Sequence, residues 1–302
     1  MRFKKFVYLH FFIKLYFTCK MNYEEILDKL KAIARGSGAI LMKYFESDHL
    51  NEGTKATDAD IVTDADLESD NFIREQFKKN FPDFGVITEE GKSVQPKNPG
   101  PNELWLCADP LDGTTNFSCN LPIFSVSIAC LDTNYQPVVG VVYDPTRDEL
   151  FSAIKGKGAF LESPRVHKRQ LKARQNTDLV KCLVTTGFNP SHLTSEDNNI
   201  REITKILPHV RCVRRLGSAC LDFCNVASAR LDCYWEKGPH IWDVAAGWLI
   251  ATESGAVVSH YDGSPFTRES LMKPMIDLIV AAQPVHDKIM ALINEARKDL
   301  PK

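Results

Sequence analysis

This chain of 302 residues lacks an apolar stretch long enough to cross a membrane comfortably, and it lacks an excess of one charge. Its 37 Lys and Arg stand against 39 Asp and Glu, a formal net charge of −2. The electrostatic footprint of a stable nucleic-acid binder is therefore missing. An anionic substrate stays open, because bound cations would invert the local field. No CxxC pair occurs among the nine cysteines, whose odd number and irregular spacing speak against a disulfide framework. Free thiols point to a reducing, cytoplasmic compartment. Cys220 and Cys224 lie one helical turn apart, as a soft-metal site could use, but small buried Cys on a helix face is the simpler reading. The phosphate-loop pattern GxxxxGK(S/T) is absent as well. Gly156-Lys157-Gly158-Ala159-Phe160 is a hairpin signal instead. No internal repeat, low-complexity tract or interdomain linker breaks the chain. What remains is ordinary globular composition, 44% hydrophobic and 25% charged, enough for one large domain or two.

The stretch Asp109-Pro110-Leu111-Asp112-Gly113-Thr114-Thr115-Asn116 carries the most chemistry. It follows Leu104-Trp105-Leu106-Cys107-Ala108, a short apolar run that reads as a buried strand. Pro110 cannot donate to a sheet ladder, so the strand is expected to stop there. Gly113 permits a backbone approach that a Cβ would block. Thr114, Thr115 and Asn116 suit the opening of a short helix, whose free N–H groups favour an anion. Paired carboxylates beside such a helix start fit together if a hard divalent cation joins them. A plain strand–turn–helix connection with solvated aspartates would use the same residue types.

Residues 1–20 form a basic, aromatic-rich segment unlike the rest. Lys14 interrupts its apolar run and no small-x-small cleavage site follows. We expect an extension from a mis-assigned start, with a weak membrane-surface anchor as the alternative. From Asn22 to about Glu46 apolar residues recur at helical spacing behind an N-cap at Asn22. Asp48 to Asp60 reads as a loop or mobile hairpin containing Lys55. Asp60 to Asp66 leads into a second amphipathic helix with Leu67, Ile73 and Phe77, and its acids read first as capping. Val86-Ile87-Thr88 reads as a strand ending in Glu89-Glu90, a place where open α/β sheets put ligands. Phe124–Leu131, Val138–Tyr143 and Leu150–Ile154 form a meander. Beyond it strand Cys182–Thr186, helix Asp197–Leu207, strand Val210–Arg214, helix Ser218–Ala229 and strand Leu231–Tyr234 alternate, which argues for a layer of parallel strands. Arg214-Arg215 reads as a solvated or dimer-interface pair, less readily as a partner contact. Residues 244–251 are small and apolar on nearly every side, so their helix is expected to be buried, with Asp243 in its first turn. A carboxylate there needs a partner; a cation or the helix dipole would serve. Strands near Val257 and at Leu278–Ala281, then a helix from about Pro284 to Arg297, close the chain.

Two motifs, Trp105-Leu-Cys-Ala-Asp109-Pro-Leu-Asp112-Gly-Thr-Thr-Asn116-Phe and Trp242-Asp243-Val-Ala-Ala-Gly247, resemble those of the inositol monophosphatase family of metal-dependent, lithium-sensitive phosphatases. Glu89-Glu90 and the Asp60 to Asp66 cluster fall in the same order. The resemblance covers roughly residues 22–300. It implies an α/β sandwich of alternating layers, αβαβα, shared with fructose-1,6-bisphosphatases and usually a homodimer. One domain would run over residues 21–302, with a metal-turn half to about 180 and a substrate-contact half from 181.

The resemblance also implies roles. Glu89, Asp109, Asp112 and Asp243, with the Leu111 carbonyl, would hold two or three Mg²⁺ ions, Mn²⁺ serving as a substitute. Asp66 and Thr114 would orient the attacking water, with Glu89 counted among the catalytic groups. Glu89, Leu111, Asp112, Gly113 and Thr114 would meet the phosphate. Gly217, Ser218, Ala219, Glu236 and Asp243 would meet the hydroxyl-bearing leaving group, and Lys55 would sit on a mobile loop near the site. Thr88 and Ser218 depart from the residues common in the family, Gly and Thr, but both keep small side chains. Oxygen-only ligation suits Mg²⁺ over zinc. The expected activity is hydrolysis of a small phosphate ester by water, with inositol 1-phosphate as substrate. Fructose 1,6-bisphosphate, adenosine 3′,5′-bisphosphate and a regulatory contact with RNA or the transcription machinery are the alternatives.

Overall fold

A computed structural model describes residues 22–47, 50–54 and 61–299. The segment 1–20 and Lys55 lie outside the described residues. The first helix, α1 (Tyr23–Tyr44), starts on a capping box formed by Asn22 and Glu25. Its stripe of Ile26, Leu30, Ile33 and Leu41 is buried, each side chain worth roughly 1.5–3 kcal/mol of burial. Beyond it come a short antiparallel pair, β1 (Glu52–Thr54) and β2 (Ile61–Thr63), and a second helix, α2 (Asp64–Asn80).

Seven strands then form one sheet in nearly sequential order: β3 (Gly85–Thr88), β4 (Trp105–Asp112), β5 (Ser125–Leu131), β6 (Pro137–Asp144), β7 (Glu149–Ile154), β8 (Ala159–Ser163) and β9 (Val166–Gln170). Only β3 and β4 run parallel; each later neighbour is antiparallel. The period of two divides the sheet's faces. Leu106, Ala108, Val126, Ile128, Val139 and Val141 pack under α1 and α2. Trp105, Cys107, Ala129, Leu131 and Val142 face the opposite way. Asp109 continues the Trp105–Cys107 side, so the pleat aims it into the middle of the molecule.

That middle layer is helical. The short α3 (Thr114–Ser118) leaves β4 with Phe117 in the outer core, and the middle layer is formed by α5 (Ala219–Ala227) and α6 (Ile241–Glu253). Phe223, Val244, Ala246 and Ile250 are buried there between the sheets. The second sheet has the order β11-β10-β12-β14-β13, built from β10 (Leu183–Thr186), β11 (Cys212–Arg214), β12 (Cys233–Lys237), β13 (Val257–Ser259) and β14 (Asp277–Ala281). Its far face is covered by α4 (Ile200–Ile206) and α8 (Gln283–Ala296) around Val184, Ile206, Trp235, Ile279 and Ile289. A four-residue α7 (Arg268–Leu271) precedes β14. The layers are thus α–β–α–β–α, as expected.

Several boundaries differ from the sequence reading. The strand expected to end at Pro110 continues to Asp112, with its pairing to β5 interrupted between Asp109 and Asp112. Proline is tolerated there because the irregularity removes the need for its N–H. The parallel pairing expected of the first three strands of the second sheet holds, β10 lying in parallel between β11 and β12, and β14 then pairs antiparallel with both β12 and β13. The helix expected from Asp197 begins at Ile200, because Asn199 is left-handed (φ 71°) and its side chain is committed elsewhere. The strand expected at Leu231–Tyr234 lies at Cys233–Lys237 and so carries Glu236 within it.

Candidate active site

The interruption in β4 is what builds the site. Asp109 is 1% exposed, and its Oδ1 accepts the Leu111 N–H at 2.9 Å. Leu111 sends its side chain into the outer core and its carbonyl toward Thr114. Asp112 re-enters the ladder opposite Ser125. Its carboxylate is crowded with donors: Oδ1 accepts the Ala219 N–H at 3.0 Å, and Oδ2 accepts the Cys220 N–H at 3.0 Å and the Ser125 hydroxyl at 3.2 Å. The Ser218 hydroxyl also donates to Oδ2. Asp112 therefore sits on the N-terminus of α5, where the free N–H groups and the dipole favour its charge.

Gly113 makes the next turn possible. It is left-handed at φ 99°, and a Cβ would stand 3.0 Å from the Ile123 carbonyl and 3.2 Å from that of Gly217. Asn116 closes the same junction, donating through Nδ2 to the Ile123 and Leu216 carbonyls, both at 2.8 Å. Thr114 Oγ1 lies 3.1 Å from Asp66 Oδ1 and 3.1 Å from the Leu111 carbonyl. Asp66 has two jobs that the sequence presented as alternatives. Its Oδ2 accepts the Thr63 N–H at 2.8 Å, capping α2, while its Oδ1 faces Thr114.

Glu89 follows β3, with its N–H on the Ala108 carbonyl at 3.2 Å. The loop around it is braced by Arg74, which donates to Thr88 Oγ1 and to the Lys92 carbonyl, both at 2.9 Å. The Thr88 hydroxyl, where the family often has Gly, thus has a structural use. Asp243 lies in the first turn of α6, half-buried, and its Oδ2 accepts the His240 N–H at 2.7 Å. Burial, then Glu89 and the other carboxylates, pushes the Asp109 and Asp243 carboxyls well above the ordinary range. Burial also raises Asp112, against the lowering effect of its donors.

Several of these groups line one cavity of about 420 Å³, with Asp109 beside Asp112 at its wall. Glu89, Asp112, Thr114 and Asp243 line it at one end and Glu236 lines it too. Ligand atoms of Asp109, Asp112 and Cys220 lie within 4.8 Å of one another. The Cys220 thiol is held protonated by burial and donates to the Asp243 carbonyl at 3.2 Å, which leaves an all-oxygen donor set. Buried carboxylates that raise one another's pKa fit a hard divalent cation, whose charge offsets that repulsion.

Gly217, Ser218, Ala219 and Glu236 line the same cavity. Ser218 and Ala219 line the cavity, but the hydroxyl of one and the N–H of the other are turned to Asp112. Glu236 Oε2 accepts the Tyr234 hydroxyl at 2.6 Å, and burial pushes its carboxyl up to about 7. Arg215, Asp222 and Gly187 are among the lining residues that escaped the sequence reading. Arg215, expected at a solvated surface, lines the cavity with Nη1 folded over Gly217. Asp222 is 1% exposed, its Oδ1 has no hydrogen-bond partner among the described residues, and burial then Glu236 raise its pKa well above the ordinary value. Its signal was a lone acid in the apolar run Cys220-Leu-Asp-Phe-Cys224. Gly187 packs against Glu236.

The five-layer α/β fold, with carboxylates at the starts of α5 and α6 in one cavity, is that of the layered phosphatases. The chain belongs to the inositol monophosphatase family, whose sequence profile matches residues 22–301. An inositol-1-monophosphatase of Synechocystis sp. is 42% identical over 212 residues, covering 70% of each chain. A protein of Pasteurella multocida named Nus factor SuhB is 38% identical over 231 residues, 76% of this chain and 83% of its own. Among solved structures, the extragenic suppressor protein SuhB of Bartonella henselae superposes with a TM-score of 0.80 at 31% identity, over 89% of this chain and 98% of its own. The inositol monophosphatase of Anabaena gives 0.76 at 32% identity, over 90% and 96%. Among the described residues no helix is long and apolar enough to cross a membrane.

Proposed function

We propose that this protein is a Mg²⁺-dependent inositol-1-monophosphatase that converts myo-inositol 1-phosphate and water to myo-inositol and phosphate. One observation carries the reading: carboxylates from three distant segments, at Glu89, at Asp109 and Asp112, and at Asp243, converge beside the helix start at Thr114, with Glu236 in the same cavity. Two or three Mg²⁺ ions, or Mn²⁺ in their place, held by Glu89, Asp109, Asp112, Asp243 and the Leu111 carbonyl, would offset the phosphate's charge, acidify a water and stabilise the leaving alkoxide.

The protein's own groups do the rest. The N–H groups at Gly113 and Thr114 receive the phosphate oxygens at the helix start. Thr114 Oγ1 donates a hydrogen bond to Asp66 or to the Leu111 carbonyl, so its lone pairs face the attacking water; as the water attacks, its proton passes to Thr114 Oγ1 while the Thr114 proton passes to the Asp66 carboxylate. Glu236 accepts hydrogen bonds from ring hydroxyls, which selects a polyol as leaving group. The working form is a cytoplasmic homodimer. Steady-state phosphate release from inositol 1-phosphate, fructose 1,6-bisphosphate and adenosine 3′,5′-bisphosphate tests the assignment. Preference for either bisphosphate would overturn inositol phosphate as the substrate.

The relatives named Nus factor favour a second reading, a regulatory contact with RNA or the transcription machinery. A pull-down at physiological salt distinguishes it. Recovery of RNA polymerase or RNA would support that role beside the hydrolase.

A further inference from the structure

The end of the cavity that holds Glu236 is shaped by a residue without a side chain. β10 pairs in parallel with β12 so that Thr186 lies opposite Trp235. Gly187, the first residue past β10, therefore lies beside Glu236, the next residue of β12. Thr186 Oγ1 donates to the Trp235 carbonyl at 2.8 Å. The buried Asn199 donates through Nδ2 to Thr186 Oγ1 at 2.7 Å and to the Gly187 carbonyl at 2.8 Å, and accepts the Trp235 indole N–H at 3.0 Å. The backbone at Gly187 is thus fixed to both strands.

A Cβ on Gly187 would lie 2.0 Å from Glu236 Oε2, 2.2 Å from Cδ and 2.3 Å from Oε1. All three terminal atoms of the carboxylate rest against this one Cα. Gly187 is not left-handed, so alanine is compatible with its backbone. The three atoms nearest to such a methyl group all belong to the Glu236 carboxylate. Tyr234 holds the carboxylate from a second direction, through its 2.6 Å hydrogen bond to Oε2.

We propose that Gly187 is a specificity-determining residue: its missing side chain lets the Glu236 carboxylate lie back far enough to admit a ring polyol. The proposal rests on the inositol phosphate reading and adds the position that sets the depth of that end. A methyl group at residue 187 pushes the carboxylate forward by about 1 Å or more, to ordinary contact distance. The charge stays, but its alignment to ring hydroxyls and the room for them are lost.

The test compares Gly187→Ala with the wild type on inositol 1-phosphate and on p-nitrophenyl phosphate, which has no hydroxyls at that end. The expected result is a KM for inositol 1-phosphate that rises about 10-fold more than the KM for p-nitrophenyl phosphate, on the scale of one charged hydrogen bond. The double variant Gly187→Ala/Glu236→Asp, whose acid is one methylene shorter, is expected to regain part of that loss. Equal loss on both substrates, or no loss on either, overturns the proposal. A wild type active on p-nitrophenyl phosphate but inert toward inositol 1-phosphate would sink the substrate assignment. The packing claim would then be judged by a crystal structure of Gly187→Ala, where an unmoved Glu236 carboxylate overturns it.

Discussion

Replacing Asp109 by asparagine isolates what the acidic cluster costs the protein when no cation shares it. The change is nearly isosteric, and an amide oxygen can still accept the Leu111 N–H at 2.9 Å. Oxygens of Asp109 and Asp112 lie within 4.8 Å of each other. Two unit charges at that separation repel by about 3 kcal/mol at an effective dielectric of ~20. In EDTA at pH 8, Asp109→Asn is therefore expected to be more stable than the wild type by up to about 3 kcal/mol. The readout is a higher urea midpoint at unchanged m. The pH dependence has a definite sign. Burial and neighbouring carboxylates raise the folded-state pKa values of Asp109 and Asp243, and burial raises that of Asp112. The stability their protons confer is complete below the ordinary carboxylate range and is lost as pH rises through the raised values. The advantage of the variant should shrink accordingly in acid. Saturating Mg²⁺ should reverse the order, because a cation at about 1,000 times its Kd adds about 4.1 kcal/mol to the wild type and far less to the variant. A variant less stable than the wild type in EDTA at pH 8, or one that gains as much from Mg²⁺, would refute Asp109 as a cation ligand.

Three further outcomes are expected. Asp112→Asn and Asp243→Asn should each abolish Mg²⁺-dependent phosphate release with a native far-UV circular dichroism spectrum; full activity in either folded variant would remove it from the site. Thr114→Ala should lower kcat about 100-fold or more while KM moves little, since its hydroxyl acts on the water; a KM effect alone would assign Thr114 to binding. Glu236→Gln removes a group held at about 7, so an inflection near that pH in kcat/KM for inositol 1-phosphate should vanish; its persistence would mean another group titrates there.

The ends of the site were legible in the sequence because each sits where a pattern changes. Asp109 and Asp112 follow an apolar strand, Glu89 follows another, and Asp243 opens an apolar helix. Asp66 was read correctly as a cap but incompletely, because one carboxylate oxygen per job cannot be seen in a string of letters. Pro110 was a sound stop signal in a regular ladder, and the bulge overrode it. β9 was missed because Val166–Gln170 is polar and mostly exposed, an edge strand without alternation. Arg215 and Gly187 could not be placed from local pattern at all. Their importance depends on residues 20 or more positions away, beside which only the parallel pairing of β10 and β12 sets Gly187.

Asp112 has a consequence beyond ligation. Its carboxylate takes donors from β5 and from the first turn of α5, strands and helix that belong to opposite halves of the chain. Whatever draws electron density from that carboxylate also weakens its hold on α5, the helix that carries Ser218 at its cap and Asp222 within it. Asp112 thus ties β4 to β5 and to the start of α5, joining the two halves of the chain at one carboxylate.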